Sequence, residues 1–439
     1  CANAATRPNI VYLLADDLGW ANVGYHGAQH ATPNIDRLAR EGVELDRYYV
    51  YPVCSPTRAG LMTGRSAMRY GVMYSVVRPW LDRGLPLDEH ILPETLKAAG
   101  YRTAITGKWH LGHGRADQLP QARGFDHYYG HVNGAIDYYK HDREGGIDWQ
   151  RNGKTVVEEG YTTELLSAEA RRIIEKRDRG RPLFLYVPFN APHAPMQAPE
   201  KLVDKYASIP DRNQRIYAAM VEALDTAIGQ ILATLDKEGM TENTLVVFHS
   251  DNGGPTALGA LNTPLRGGKA TTFEGGIRVP AIVRWPAQLK GGRKVTQVIT
   301  NLDMLPTLAA AIGVKPGSRK PLDGRDMWPA ISGGQAAMRD DDLFFAVESG
   351  GASRLAVRHR EWKLVREVAD RGGAVNYLFR IDEDPNERQD VAAKHPDVVK
   401  DLVARIEAWQ KLHPADGIRF SGARPAEWTA PAKWAEAAR

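Results

Sequence analysis

Cysteine is nearly missing from this chain: there are two in 439 residues, Cys1 at the start and Cys54 inside. A disulfide framework is therefore excluded, and the interior cysteine needs another explanation. One-sided charge is missing too, since 57 Lys and Arg face 53 Asp and Glu and leave a net charge of only +4. That balance argues against a nucleic-acid protein and for a local basic pocket. No run approaches the ~18 apolar residues of a membrane span, so a transmembrane segment is not expected and any membrane attachment would come from an end. Internal repeats and low-complexity tracts are also absent. The chain opens without Met, which leaves three origins for its start: Cys1 as an acylated lipoprotein residue, Ala2-Asn3-Ala4 as the A-x-A remnant of a signal peptide, or simple trimming. An exported protein, periplasmic or secreted, is the expectation.

What is present is α/β alternation. Asn9-Ile10-Val11-Tyr12-Leu13-Leu14-Ala15 is a short apolar run that ends in Asp16-Asp17, and Thr244-Leu245-Val246-Val247-Phe248 leads likewise into Ser250-Asp251-Asn252-Gly253-Gly254. Runs of this kind suit buried parallel strands, which would deliver their acids to one sheet edge. Helical stretches at 32–41, 162–176 and 215–237 and a strand at 182–187 fall between them. Ligands in such sheets bind beyond the carboxyl ends of the strands. Past Gly333-Gly334-Gln335 the pattern changes to short strands at 343–348, 354–358, 362–366 and 377–381, followed by a helix at 396–412. Length alone allows two or three domains at about 150 residues each. The expected division is a large α/β domain over 1–335 and, over 336–439, a small antiparallel sheet with a covering helix and a terminal arm.

Cys54-Ser55-Pro56-Thr57-Arg58, with Thr63-Gly64-Arg65 after it, is the most informative stretch. Ser55 suits a helix N-cap and Pro56 the first helical position, where its missing N–H costs nothing. Cys54 would then sit at a helix N-terminus, a place that attracts sulfate or phosphate, and Arg58 would add a matching fork of donors. A buried cysteine before an ordinary capped helix would produce the same residues.

The Cys-x-Pro-x-Arg spacing with a downstream Thr-Gly resembles the signature of type I sulfatases, and Gly100-Tyr101-Arg102-Thr103-Ala104-Ile105-Thr106-Gly107-Lys108-Trp109-His110-Leu111-Gly112 is similar to that family's other signature. The resemblance extends from Pro8-Asn9-Ile10 to Asp384-Pro385-Asn386-Glu387. It implies an alkaline-phosphatase-like fold, with a large mixed sheet flanked by helices and a small C-terminal subdomain. It implies a sulfuric ester hydrolase in which a formylglycine-generating enzyme oxidises Cys54 to an aldehyde, whose hydrate attacks sulfur.

Asp16, Asp17, Asp251 and Asn252 supply only oxygen donors, which suits a hard cation such as Ca2+ or Mg2+. Taken singly, Asp-Asp reads as a helix cap and Asp-Asn-Gly as a turn. The resemblance implies Ca2+, held also by an oxygen of formylglycine 54. It further implies that Lys108 binds a sulfate oxygen and that His110 takes the proton from the remaining hydroxyl of the hydrate, the two side chains facing one side of a strand or extended loop. His193, in Pro192-His193-Ala194-Pro195, would protonate the leaving group, and Lys269 would stabilise its oxygen. Asp251 would take the proton of the attacking hydroxyl.

Arg123-Gly124-Phe125-Asp126, Gly134 to His141, Pro264-Leu265-Arg266-Gly267 and Lys320 to Gly324 look closest to the arylsulfatase B, or N-acetylgalactosamine-4-sulfatase, branch. The resemblance therefore implies a sulfated carbohydrate, such as 4-sulfated N-acetylgalactosamine, with aryl sulfates as surrogates. The stretch 76–83 lacks that branch's cysteine-bearing sequence. Trp80, Tyr138 and His141 are candidates either for a sugar pocket or for loop packing. Two other readings stand beside these: a phosphoester or phosphonate hydrolase of the same superfamily, and a silent sulfated-glycan binder should Cys54 stay unmodified.

Overall fold

A computed structural model describes residues 7–333, 339–419 and 423–438. The expected domain junction at 335/336 and the terminal Cys1 lie outside the described residues. The body is built on a ten-stranded sheet. From edge to edge it runs Arg293–Thr300, Val43–Tyr49, Ala281–Arg284, Thr244–Ser250, Asn9–Ala15, Leu183–Pro188, Arg102–Lys108, His127–His131, Gln150–Arg151 and Lys154–Thr155. The sheet is mixed: Ala281–Arg284 runs antiparallel to both neighbours, and Gln150–Arg151 and Lys154–Thr155 close the far edge antiparallel.

Asn9–Ala15 is central because it can be buried on both faces. Ile10, Tyr12 and Leu14 pack into one apolar core, and Val11, Leu13 and Ala15 into the other. Alternate residues of a strand point to opposite faces, so a run with no polar member needs cover on both sides. Helices Thr162–Glu175 and Arg212–Lys237 cover one face. Arg212–Lys237 is the one described helix long and apolar enough to cross a membrane, and here it lies in the core with its apolar stripe on the sheet. Asp225, inside it, accepts hydrogen bonds from the backbone N–H groups of Asn34 and Ile35, the first turn of helix Pro33–Glu41.

The C-terminal part is a four-stranded antiparallel sheet, Leu343–Ser349, Ala352–His359, Trp362–Ala369 and Ala374–Arg380, covered by helix Pro396–Gln410. Its Phe345, Ala356, Val365 and Leu378 belong to the same core as Tyr12 and Leu14. The small sheet therefore packs onto the body as part of one continuous interior.

Candidate active site

Strand register sets the site. Asn9–Ala15 pairs in parallel with Thr244–Ser250 so that Ala15 lies beside Ser250, and Asp16-Asp17 and Asp251-Asn252 leave the sheet together. The Asp251 N–H donates to the Ala15 carbonyl at 3.0 Å, and the Asp16 N–H to that of Ala191 at 3.0 Å, which ties the His193 loop to the same edge. Asp17 then turns through φ 73°.

Helix Cys54–Thr63 packs beneath this edge with all ten residues buried. Its cap differs from the expectation. Val53 occupies the extended cap position and Cys54 is the first helical residue. The Ser55 hydroxyl is taken by tertiary partners instead: it donates to the His110 carbonyl at 3.1 Å and accepts from the Val77 N–H at 3.0 Å. Pro56 falls third in the helix, still within the first turn, where an N–H has no helical acceptor. Burial pushes the Cys54 thiol up to about 12 despite Lys108 and Lys269, so unmodified it is a protonated thiol at neutral pH.

Three cations face Cys54 across this floor, each set by a carboxylate. Arg58 donates through Nε and Nη2 to Asp251 Oδ2 at 3.0 and 2.8 Å, and through Nη1 to the Lys108 carbonyl at 3.1 Å. Lys108 Nζ meets Asp16 Oδ2 at 2.5 Å with both side chains fully buried. Lys269 Nζ bridges the two oxygens of Asp17 at 2.7 and 2.8 Å. Burial pushes the carboxyls of Asp16 and Asp17 up. Lys108 for Asp16 and Lys269 for Asp17, each with His193, more than reverse this and hold both below their ordinary range.

His110 is not on a continuing strand with Lys108. The strand stops at Lys108, and His110 takes φ 58°. Its Nε2 lies 3.0 Å from the Val77 carbonyl, which can only accept, so Nε2 carries the proton there. Burial and the neighbouring Lys108 and Arg58 drive its pKa well down, so the ring is neutral and Nδ1 keeps a lone pair, buried and unpartnered. Gly134 lies against this ring, and a Cβ there would fall 2.4 Å from Cε1 and Nε2. Gly134→Ala is expected to displace the imidazole and cut kcat by about 10–100-fold, the scale of a lost proton-transfer group, with a melting temperature near wild type. Unchanged kcat would show that His110 takes no proton.

His193 has its Nδ1 2.6 Å from the Ala194 carbonyl and its Nε2 3.7 Å from Asp17 Oδ2. Ligand atoms of Asp16, Asp17, Cys54 and His193 all lie within 4.8 Å of one another. That group adds His193 to the expected Asp16, Asp17 and Cys54. Asp251 accepts from Arg58 at Oδ2 and from the Asp17 N–H at Oδ1 at 3.2 Å, and each oxygen keeps a lone pair. Two buried oxygens lack any partner, Asp16 Oδ1 and Asn252 Oδ1. Orphaned oxygens inside a cluster of acids are what a hard, oxygen-liganded cation satisfies, so the donor set fits Ca2+ or Mg2+.

Cys54, His110, His193 and Lys269 open onto a cavity of about 600 Å³. Trp80 lines it. Tyr138 and His141 do not. The Tyr138 hydroxyl is shared between the carbonyls of Asn190 (2.7 Å) and His193 (2.8 Å), and His141 stacks on Trp149 with Nε2 3.0 Å from the Gly160 carbonyl. Both hold the wall from behind, because their polar tips find backbone carbonyls inside the loop. Sequence reasoning missed Arg143, Glu144 and Glu348, which also line the cavity. It missed His131 too, which is fully buried, pairs in register with Lys108, and has an unpartnered Nε2.

The model of the family described as Sulfatase matches residues 8–314. The chain belongs to the sulfatase family. A second model, N-sulphoglucosamine sulphohydrolase, C-terminal, matches residues 268–412 of this sulfatase. Arylsulfatase J of Mus musculus is 35% identical over 92% of the chain and 76% of that relative. N-acetylgalactosamine-6-sulfatase of Mus musculus is 37% identical over 78% of the chain and 69% of the relative. Among solved structures, Ps i-CgsB in complex with k-i-k-neocarrahexaose superposes with a TM-score of 0.88 at 34% identity, covering 95% of this chain and 96% of that one. The phosphonate monoester hydrolase of Agrobacterium radiobacter, at 21% identity and TM-score 0.67, shares the fold.

Proposed function

We propose that this sulfatase cleaves sulfate monoesters on a sulfated sugar and that residue 54 acts as formylglycine. The observation that carries the reading is the convergence of Arg58, Lys108 and Lys269 on a buried Cys54, beside an oxygen-rich cation site, at the bottom of a sugar-sized cavity. Asp16, Asp17, Asp251 and Asn252, with an oxygen of residue 54, would hold Ca2+, which would polarise the sulfate. Formylglycine supplies a geminal diol, in which one hydroxyl attacks sulfur and loss of the other proton expels sulfate and restores the aldehyde.

The chain's own residues do the rest. Arg58 and Lys108 are aimed by Asp251 and Asp16, so the sulfate oxygens meet donors already in place. Lys269 sits where charge grows on the leaving oxygen. Burial and Lys269 lower the pKa of His193, whereas a bound sulfate anion favours its charged form, in which Nε2 is a donor to the leaving group. Asp251 accepts the proton of the attacking hydroxyl, and His110 Nδ1 that of the remaining one. Cys54 is 2% exposed, so its oxidation by a formylglycine-generating enzyme has to precede folding. The mass of the peptide containing residue 54 reads that conversion directly.

The 4-sulfated N-acetylgalactosamine reading rests on the segments around Arg123, Gly134, Pro264 and Lys320, while relatives named for the 6-sulfate make that isomer the deciding comparison. The expected order of kcat/KM is the 4-sulfated sugar above its 6-sulfated isomer, and an aryl sulfate above the matching aryl phosphate. Sulfate and phosphate fit one cradle, so selectivity has to lie in the transition state. A winning aryl phosphate would overturn the sulfatase reading for this site, whereas a winning 6-sulfate would overturn only the position.

A further inference from the structure

The segment that presents Lys269 is held from its far side by charges with no part in the chemistry above. Glu274, at the start of helix Glu274–Ile277, is fully buried, and Lys363 Nζ donates to its Oε1 at 2.8 Å while the Tyr49 hydroxyl donates to its Oε2 at 2.8 Å. Its backbone N–H donates to Glu387 Oε2 at 2.7 Å. Lys363 Nζ also lies 2.8 Å from Glu387 Oε1, an ion pair without hydrogen-bond geometry. One buried ammonium thus sits between two buried carboxylates.

Lys363 stands on strand Trp362–Ala369 of the small C-terminal sheet, and Glu387 lies in the turn segment that follows its last strand, Ala374–Arg380. Arg266 reinforces the join: it donates to the Glu387 carbonyl at 3.3 Å and stacks 4.1 Å over the Phe273 ring. On its other side the same segment meets the site. The Lys269 N–H donates to the Gly254 carbonyl at 3.2 Å, and the Gly253 N–H, next to Asn252, donates to that of Gly276 at 3.0 Å. Burying three charges is a poor way to gain stability, since apolar side chains of similar volume would hold two layers together as well. Charges that must meet at fixed distances set a register instead.

We propose that Glu387 and Lys363 are positioning residues, which act through Glu274 to fix the segment that sets Lys269 against the leaving oxygen. The link from the segment to the leaving oxygen rests on the sulfatase reading; the link from the cluster to the segment does not. The test compares full-length wild type with Glu387→Ala and with Glu387→Gln, which keeps an oxygen for the Glu274 N–H. Two substrates are needed, p-nitrophenyl sulfate with its good leaving group and an alkyl sulfate with a poor one, together with hydrogen exchange across 266–278.

In Glu387→Ala, kcat is expected to fall about tenfold further on the alkyl ester than on the aryl ester, the scale of one weakened contact to the leaving oxygen. KM for both should change by less than about twofold, and Glu387→Gln should recover most of the loss. Amides at 274–276 should exchange about tenfold faster, with those of Thr244–Ser250 unchanged. Equal losses on the two esters, or unaltered exchange across 266–278, would overturn the proposal. If Glu387→Ala does not fold, Glu387→Gln carries both measurements, with the smaller shifts expected in the same directions. If wild type cleaves neither ester, the sulfatase reading falls and exchange alone decides the positioning claim.

Discussion

Cys54→Ala is expected to leave a folded protein whose sulfatase turnover is down by on the order of 10⁴-fold or more, the scale at which losing a nucleophile acts. Cys54 opens a helix that is buried along its whole length, and what it contributes to packing is one sulfur atom. Deleting so small a group costs about 1 kcal/mol, so the thermal unfolding midpoint should move by only a few degrees. The chemistry has no such tolerance. Alanine offers no oxygen, while Arg58, Lys108 and Lys269 remain to bind the sulfate, so substrate should still bind without reacting. Cys54→Ser should be nearly as inactive: a serine hydroxyl could attack sulfur, but it has no second hydroxyl whose proton loss expels sulfate, and it would accumulate as a sulfate ester detectable as added mass on that peptide. Near wild-type hydrolysis of p-nitrophenyl sulfate by purified Cys54→Ala protein would sink the formylglycine mechanism.

The parts of the site legible in the sequence are those whose signal is local. Asp16-Asp17 and Asp251-Asn252 each end an apolar run, and parallel pairing of two such runs brings their tips together without further information. The four C-terminal strands and their helix were readable for the same reason, each being a short run between turn residues. Arg102–Lys108 and His127–His131 carry Gly, Thr and His in place of an apolar run, and only their neighbours make them strands. His131 escaped notice because its meaning lies in its register with Lys108, set by a long-range pairing. Ser55 looks like a cap because it is a hydroxyl before Pro, whereas His110 and Val77, distant in sequence, claim it. Tyr138 and His141 are open in the sequence between a sugar pocket and loop packing, because aromatic and polar loop residues suit both; only the folded loop shows their tips on backbone carbonyls.

Asp16→Asn is expected to lower divalent-ion affinity and kcat/KM together, each by at least about 100-fold. Asp16 does two jobs with two oxygens: Oδ2 pairs with Lys108, and Oδ1 is buried with no partner in the chain. Asparagine keeps the shape but removes the charge that compensates a completely buried ammonium, and leaving such a charge unpaired costs about 3–5 kcal/mol. Lys108, without its buried partner, would no longer be held in place, which weakens a sulfate-oxygen donor. Asp251 remains on Arg58, so the second cation should keep its place. Acid stability supplies an independent reading. Burial pushes the Asp16 carboxyl up, but Lys108, His193 and Arg58 hold it below the ordinary 3.8. A carboxyl depressed in the folded state contributes stability that is complete above its unfolded value and is lost as pH falls through the folded one. Wild type should therefore lose this contribution only below about pH 4, and Asp16→Asn should lack that part of the acid limb while being less stable at neutral pH. Calcium titration of chelator-treated protein, followed by activity and by thermal unfolding between pH 3 and 7, separates the two jobs. An Asp16→Asn protein that binds calcium like wild type would remove Asp16 from the cation site, and an unchanged acid limb would remove it from the pair with Lys108.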